Sequence, residues 1–173
     1  MMGLKTLSET ASPYAGSDKM DTLTPRHLLT LHLDVAFGAM LDIGHTPQGR
    51  RRIAPILGGR FEGERLNGDV LPGGADWVIN RPDGVMVIDV RLALKTHDMA
   101  LIYLTYQGTF RAEPEVMKRF NRGGLLEPHE YALRVTPRFE CGTEAYRWLN
   151  DLPAIGVGEQ TAQGPIYRMY EIL

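Results

Sequence analysis

Residues 76–107, DWVINRPDGVMVIDVRLALKTHDMALIYLTYQ, decide the fold. Three runs rich in Val, Ile, Leu, Tyr and Trp are separated by two polar clusters too brief to hold more than a turn. In Arg81-Pro82-Asp83-Gly84-Val85 the proline presets φ at the first turn position, and Gly84 suits the left-handed position of a three-residue loop. That chemistry sets Arg81 opposite Val85, and therefore Trp77 opposite Asp89. The second cluster, around His97-Asp98, allows Thr96 opposite Met99 or Lys95 opposite Ala100, and both loops give one register. In it Asp89 faces Tyr106 and Arg91 faces Leu104. Trp77, Asp89, Arg91, Leu104 and Tyr106 then share one sheet face, while Asp76, Met86, Ile88, Val90, Leu92, Leu94 and Tyr103 share the other.

Strands continue on both sides of this core. Upstream, RHLLTLHLDVAF from Arg26 alternates Leu29, Leu31, Leu33 and Val35 against Thr30, His32 and Asp34, the period of a half-buried strand. Arg51–Leu57, Arg60–Gly63 and Arg65–Leu71 read as short extended pieces, with Gly58-Gly59, Gly63 and Gly68 marking bulges or barrel corners. Downstream, Glu113–Phe120 predicts one short helix with proline at its first position and Gly123 as a stop. A strand at Tyr131–Glu140, a helical turn at Thr143–Asn150 capped by Thr143, and strands at Leu152–Val157 and Ile166–Ile172 complete the chain. The first 22 residues lack periodicity and read as a mobile N-terminal tail. About nine or ten strands with little helix, over residues 23–173, predict an all-β fold: a single antiparallel β-barrel domain, because closure removes exposed sheet edges.

The inventory excludes several classes. All three serines, Ser8, Ser12 and Ser17, lie in the tail, so a serine hydrolase has no nucleophile in the folded body. Four lysines, no Walker loop and an incomplete Gly156-x-Gly158 leave Schiff-base and dinucleotide chemistry unsupported. A formal net charge of -2 gives no field to hold a polyanion, so nucleic acid is not expected as a partner. No run is long enough to span a bilayer, and no membrane association is expected. The single Cys141 makes no intrachain disulfide, and no secretory h-region stands at the start, so a cytoplasmic location is expected. His32 and Asp34 share a strand face but read as a wetted surface; neither a metal nor a cofactor is expected.

Several stretches also form an ordered set: Thr46-Pro47-x-Gly49-Arg50-Arg51, Gly58-Gly59-x-Phe61-Glu62-Gly63, Leu71-Pro72-Gly73-Gly74-Ala75-Asp76-Trp77, Asp89-x-Arg91, Pro137-Arg138-Phe139-Glu140 and Trp148-Leu149-Asn150. They resemble a bacterial family of small β-barrel proteins described as a domain of unknown function, or uncharacterised protein family. The resemblance implies a calycin-like barrel, broadly like the allene oxide cyclase and dirigent barrels. This chain departs from the family pattern where His97-Asp98-Met99 replaces Asp-Asp-Gly, where Cys141 replaces Thr, and where Tyr106 replaces a small amide.

The inferred register gathers a carboxylate, a guanidinium, a phenol and an indole across three strands. Such a set suits a small apolar or aromatic ligand in a barrel pocket. Asp89, Arg91 and Tyr106 are the expected catalytic residues, with Asp89 and Tyr106 moving protons and Arg91 steadying an enolate or carboxylate. Trp77, Asp76, Tyr103 and Arg51 are the expected substrate-binding residues. The expected chemistry is that of an isomerase or lyase acting without a cofactor. The alternatives are a lipocalin-like carrier or sensor, and a buried Asp89–Arg91 pair that only fixes strand register. Because both sheet faces are largely apolar, Met86, Ile88, Val90, Leu92 and Leu94 are expected to be covered by a second copy in a homodimer.

Overall fold

In the computed structural model, which describes residues 22–173, the chain closes into an antiparallel barrel; the expected tail lies outside the described residues except for Thr22. Ten strands follow in order: β1 (Pro25–Val35), β2 (Leu41–Thr46), β3 (Gly49–Glu62), β4 (Gly68–Val70), β5 (Ala75–Asn80), β6 (Met86–Thr96), β7 (Leu101–Ala112), β8 (Tyr131–Glu140), β9 (Ala154–Glu159) and β10 (Ile166–Ile172). One short helix, α1 (Pro114–Asn121), stands between β7 and β8, with Pro114 in its first turn as the sequence predicts. β1 pairs with both β10 and β3, which closes the ring. β4 and β5 each bridge β3 and β6, so together they fill one of eight barrel positions, interrupted by the turn at Leu71–Gly74. β3 is a single long strand rather than two pieces. Its first half pairs with β2 and its second half with β1.

The β5–β6 hairpin has the register read from its turn: Ala75 pairs with Arg91 and Ile79 with Val87, and Gly84 takes a φ of 86°. The next hairpin is displaced by one residue. Asp89 pairs with Gln107, Val90 with Tyr106 and Arg91 with Thr105. The cause is a three-residue loop: Met99 N–H donates to Thr96 O at 2.9 Å, Thr96 N–H donates to Ala100 O at 2.9 Å, and Met99 sits at a φ of 72°. Asp98 braces this loop by accepting hydrogen bonds from the hydroxyls of Thr96 and Tyr146. Because side chains alternate along a strand, one residue of slip moves every β7 side chain to the other wall.

That slip corrects one expectation, and burial within the barrel removes the ground of another. Tyr106 turns into the lumen, away from Asp89 and Arg91. Met86, Ile88, Val90, Leu92 and Leu94 also face inward and are buried within one chain, so the observation behind the expected homodimer is removed. They pack with Leu29, Leu31, Leu33, Ile102, Leu104, Phe110 and Leu133 into one continuous core.

The two barrel ends differ. One is plugged by the short 3-10 helix Glu144–Leu149, whose Leu149 is fully buried as part of the same core. Thr143 stands at the start of that helix but makes no side-chain cap. Glu171, 2% exposed, pairs with both Arg26 and Arg65, and the Arg65 guanidinium lies 4.0 Å above the Trp148 ring. The guanidiniums hold the Glu171 carboxyl below its ordinary range, Arg26 contributing most. The opposite end is ringed by the hairpin tips and by α1. There Phe120 stacks on Phe110 with ring centroids 4.8 Å apart.

Candidate functional site

A cavity of about 480 Å³ opens at the α1 end of the barrel. Its walls are apolar, built from Leu33, Val35, Ile56, Val78, Met86, Ile88 and Val90, with Phe37, Met40 and Phe120 at the rim. Four groups with titratable or charged side chains line it: Asp76, Arg52, Tyr106 and Tyr167. Strand parity puts them there. Asp76 pairs with Ala54 on β3 and with Val90 on β6, and Val90 pairs with Tyr106 on β7. Arg52 lies two residues before Ala54 and therefore points to the same side.

Asp76 is enclosed by the barrel wall yet keeps part of its surface open to the lumen. Its Oδ1 accepts the backbone N–H of Asp89 at 3.0 Å, and the β5–β6 ladder opens around this insertion. Burial pushes the carboxyl up to about 7; the Asp89 N–H opposes this, the Asp89 charge adds to it, and Arg52 and Arg51 pull downward. Tyr106 and Tyr167 pack with ring centroids 5.0 Å apart, each 1% exposed. Burial holds both phenols protonated, raising each above the ordinary tyrosine value, with the Asp76 charge adding to the effect. Tyr106 Oη has no hydrogen-bond partner, an unsatisfied group of a kind that folded proteins seldom retain. Gly158 makes room for this pair. A Cβ there would meet Leu133 at 2.4 Å and Tyr167 at 2.8 Å, so the close strand approach explains a glycine that no phosphate fingerprint required.

The other expected site residues lie on the outer wall. Trp77, Asp89 and Arg91 do come together, as the β5–β6 register requires. Arg91 lies 4.9 Å from the Trp77 ring centroid and 3.5 Å from Asp89 Oδ2, with side-chain exposures of 46% for Arg91 and 25% for Asp89. This is a solvated pair, not a buried one. Arg51 donates to the Trp77 carbonyl on the same wall. Tyr103 is 41% exposed beside Glu140 of β8, away from both groups. The structure thus joins Asp76 and Tyr106, which the sequence register had put on opposite faces, and adds Arg52 and Tyr167. Alternation within Arg50-Arg51-Arg52 is the signal that assigns Arg52 inward once Arg51 is outward. Tyr167 has no local signal, since β10 reaches Tyr106 only through barrel closure.

These features define a class: a closed antiparallel barrel with an apolar lumen, one buried carboxyl and two phenols. The chain belongs to the family described as Protein of unknown function (DUF3237), whose model matches residues 23–172. An uncharacterised protein from Rhodopseudomonas palustris is 32% identical over 152 residues, covering 88% of this chain and 98% of its own length. A crystal structure of a conserved protein of unknown function from that organism superposes with a TM-score of 0.83 at 32% identity, over 88% of this chain and 99% of that one. A beta-barrel like protein from Acinetobacter baumannii gives 0.78 at 34% identity, over 91% and 100%. A protein from Penicillium herquei, described only as an enzyme, shares the fold with a TM-score of 0.66 at 19% identity, over 87% and 95%. No helix among the described residues is long and apolar enough to cross a membrane.

Proposed function

We propose that this chain is a small-molecule enzyme in which Asp76 moves protons on an apolar or aromatic ligand held in the lumen. The observation that carries this reading is the Asp76 carboxyl, pushed up to about 7 by burial, in a largely apolar cavity shared with Arg52 and two phenols. Such a group exists in both protonation states at neutral pH, so it can accept a proton and return it. Acting on a carbonyl compound, ionised Asp76 takes a proton from the carbon beside the carbonyl. The electron pair of that C–H bond forms the C=C bond of an enolate as the C=O π pair moves to oxygen, and, where a C=C bond lies β,γ to the carbonyl, the protonated carboxyl returns the proton at the γ carbon of the resulting dienolate. Atoms and charge balance, and the net reaction is an isomerisation. Tyr106, kept neutral by burial and lining the same cavity as Asp76, is the donor suited to the developing oxyanion.

The same apolar walls and plugged end suit a carrier that binds and releases a ligand unchanged. Proton exchange in D2O separates the two readings. A panel of enolisable aromatic ketones, followed by NMR at neutral pD, should lose α-protons about 100-fold faster with the protein than without it. The acceleration should vanish in Asp76→Asn and persist in Asp89→Asn. Ligand binding with no exchange on any ketone identifies a carrier instead.

A further inference from the structure

Beside the lumen, at its mouth, lies a second pocket of about 420 Å³, lined by His45, Arg50, Arg52, Asn80, Arg81 and Asn121 among others. Arg52 and Asn121 line both cavities, so the two spaces adjoin. No carboxylate lines this pocket. Two of its three arginines are already neutralised from outside, Arg50 by Asp42 and Arg81 by Asp83. Arg52 is not. Its Nη2 donates to the neutral Asn80 Oδ1 at 2.7 Å, it makes no salt bridge with any described residue, and its Nε is buried without a partner. Burial, with Arg50 adding, pulls its guanidinium below the ordinary value even though the charges of Asp42 and Asp76 act the other way, which marks a cation short of solvent and of a directly bonded counter-ion. With Nε buried, the donors left for an incoming oxygen anion are on Nη1, which makes no hydrogen bond within the described residues, and on the second hydrogen of Nη2; this pair at the end of the guanidinium matches the two oxygens of a carboxylate.

We propose that the mouth pocket is an anion subsite, and that the ligand of this protein is an apolar molecule ending in a carboxylate, its body in the lumen and its carboxylate on Arg52. This rests on the lumen being the ligand site. It extends that reading by fixing the ligand's polarity and direction: the charged end faces the mouth, and the apolar end points toward Asp76 and Tyr106.

Two fluorescent probes of the same shape test it, 1-pyrenebutyrate and 1-pyrenebutanol, titrated into the full chain and into three variants. The wild type should bind the carboxylate at least about tenfold tighter than the alcohol, the scale of one charge-assisted bidentate contact. Arg52→Gln should erase that preference while leaving the alcohol's affinity unchanged. Arg81→Gln, on an exposed turn where folding is not at risk, should reduce the preference about threefold through the lost local charge. Ile88→Trp, which fills the lumen, should weaken both probes together. Equal binding of the two probes by the wild type, with both still excluded by Ile88→Trp, overturns the anion subsite and leaves the lumen reading standing. A carboxylate preference that survives both arginine substitutions overturns it as well. Failure of either probe to bind, or binding indifferent to Ile88→Trp, overturns the lumen reading and the subsite together.

Discussion

Asp76 carries a cost that follows from its place. With a folded value near 7 against an ordinary 3.8, its charged form is disfavoured in the native state. The sign follows from linkage: the native state is favoured fully while the carboxyl is protonated below about 3.8, and the advantage is lost as pH rises through 7. Asp76→Asn should therefore raise the melting temperature at pH 8 but leave it nearly unchanged at pH 4. The expected gain at pH 8 is on the order of 2–4 kcal/mol. An equal shift at both pH values contradicts a titrating Asp76. Asp89 differs because its pair with Arg91 stands in solvent, so Asp89→Asn should change the urea midpoint by no more than about 1 kcal/mol of stability. At this scale much was legible in the sequence: Asp76 and Tyr106 stand out as polar residues in apolar strands. Arg52 was concealed in a run of three arginines, where residue type alone does not tell the inward one from its outward neighbour.

Between β6 and β7, one residue of loop length exchanged the partners of Tyr106. The preceding turn is readable because Pro82 and Gly84 occupy the positions where their backbone preferences are diagnostic. At the second turn the left-handed position holds Met99, and nothing about a methionine announces a φ of 72°. A glycine at that position would have marked a three-residue loop. Met99→Gly should accordingly stabilise the fold by about 1 kcal/mol, because glycine removes the Cβ strain and nothing buried is lost from a side chain 69% exposed. Chemical denaturation checks this, and a loss of stability contradicts it. The glycines of β9 illustrate the opposite limit. At Gly158 a Cβ would strike Tyr167, its ladder partner on β10, and Leu133 of β8, contacts that the Gly156-x-Gly158 spacing alone does not reveal.

The molecule as a whole is asymmetric along the barrel axis. Its plugged end concentrates stability: Leu149 is fully buried, and the Glu171 pairs with Arg26 and Arg65 tie β1 and β10 to the Arg65 loop. Leu149→Ala should cost about 3 kcal/mol or more in a urea melt, the usual range for a buried leucine. An effect under about 1 kcal/mol would mean that the short helix is not part of the core. The cavity opens at the other end, where loops and one helix rim it, an arrangement that lets its mouth vary without disturbing the plug.

That asymmetry also governs traffic. A barrel sealed below has one doorway, so a molecule leaving the lumen uses the aperture by which the next must enter. Passage through the protein from one side to the other is closed, and two occupants cannot exchange in a relay. Any product that lingers shuts out its successor. For the proposed reaction this makes turnover strictly sequential and inhibition by accumulated product competitive with substrate.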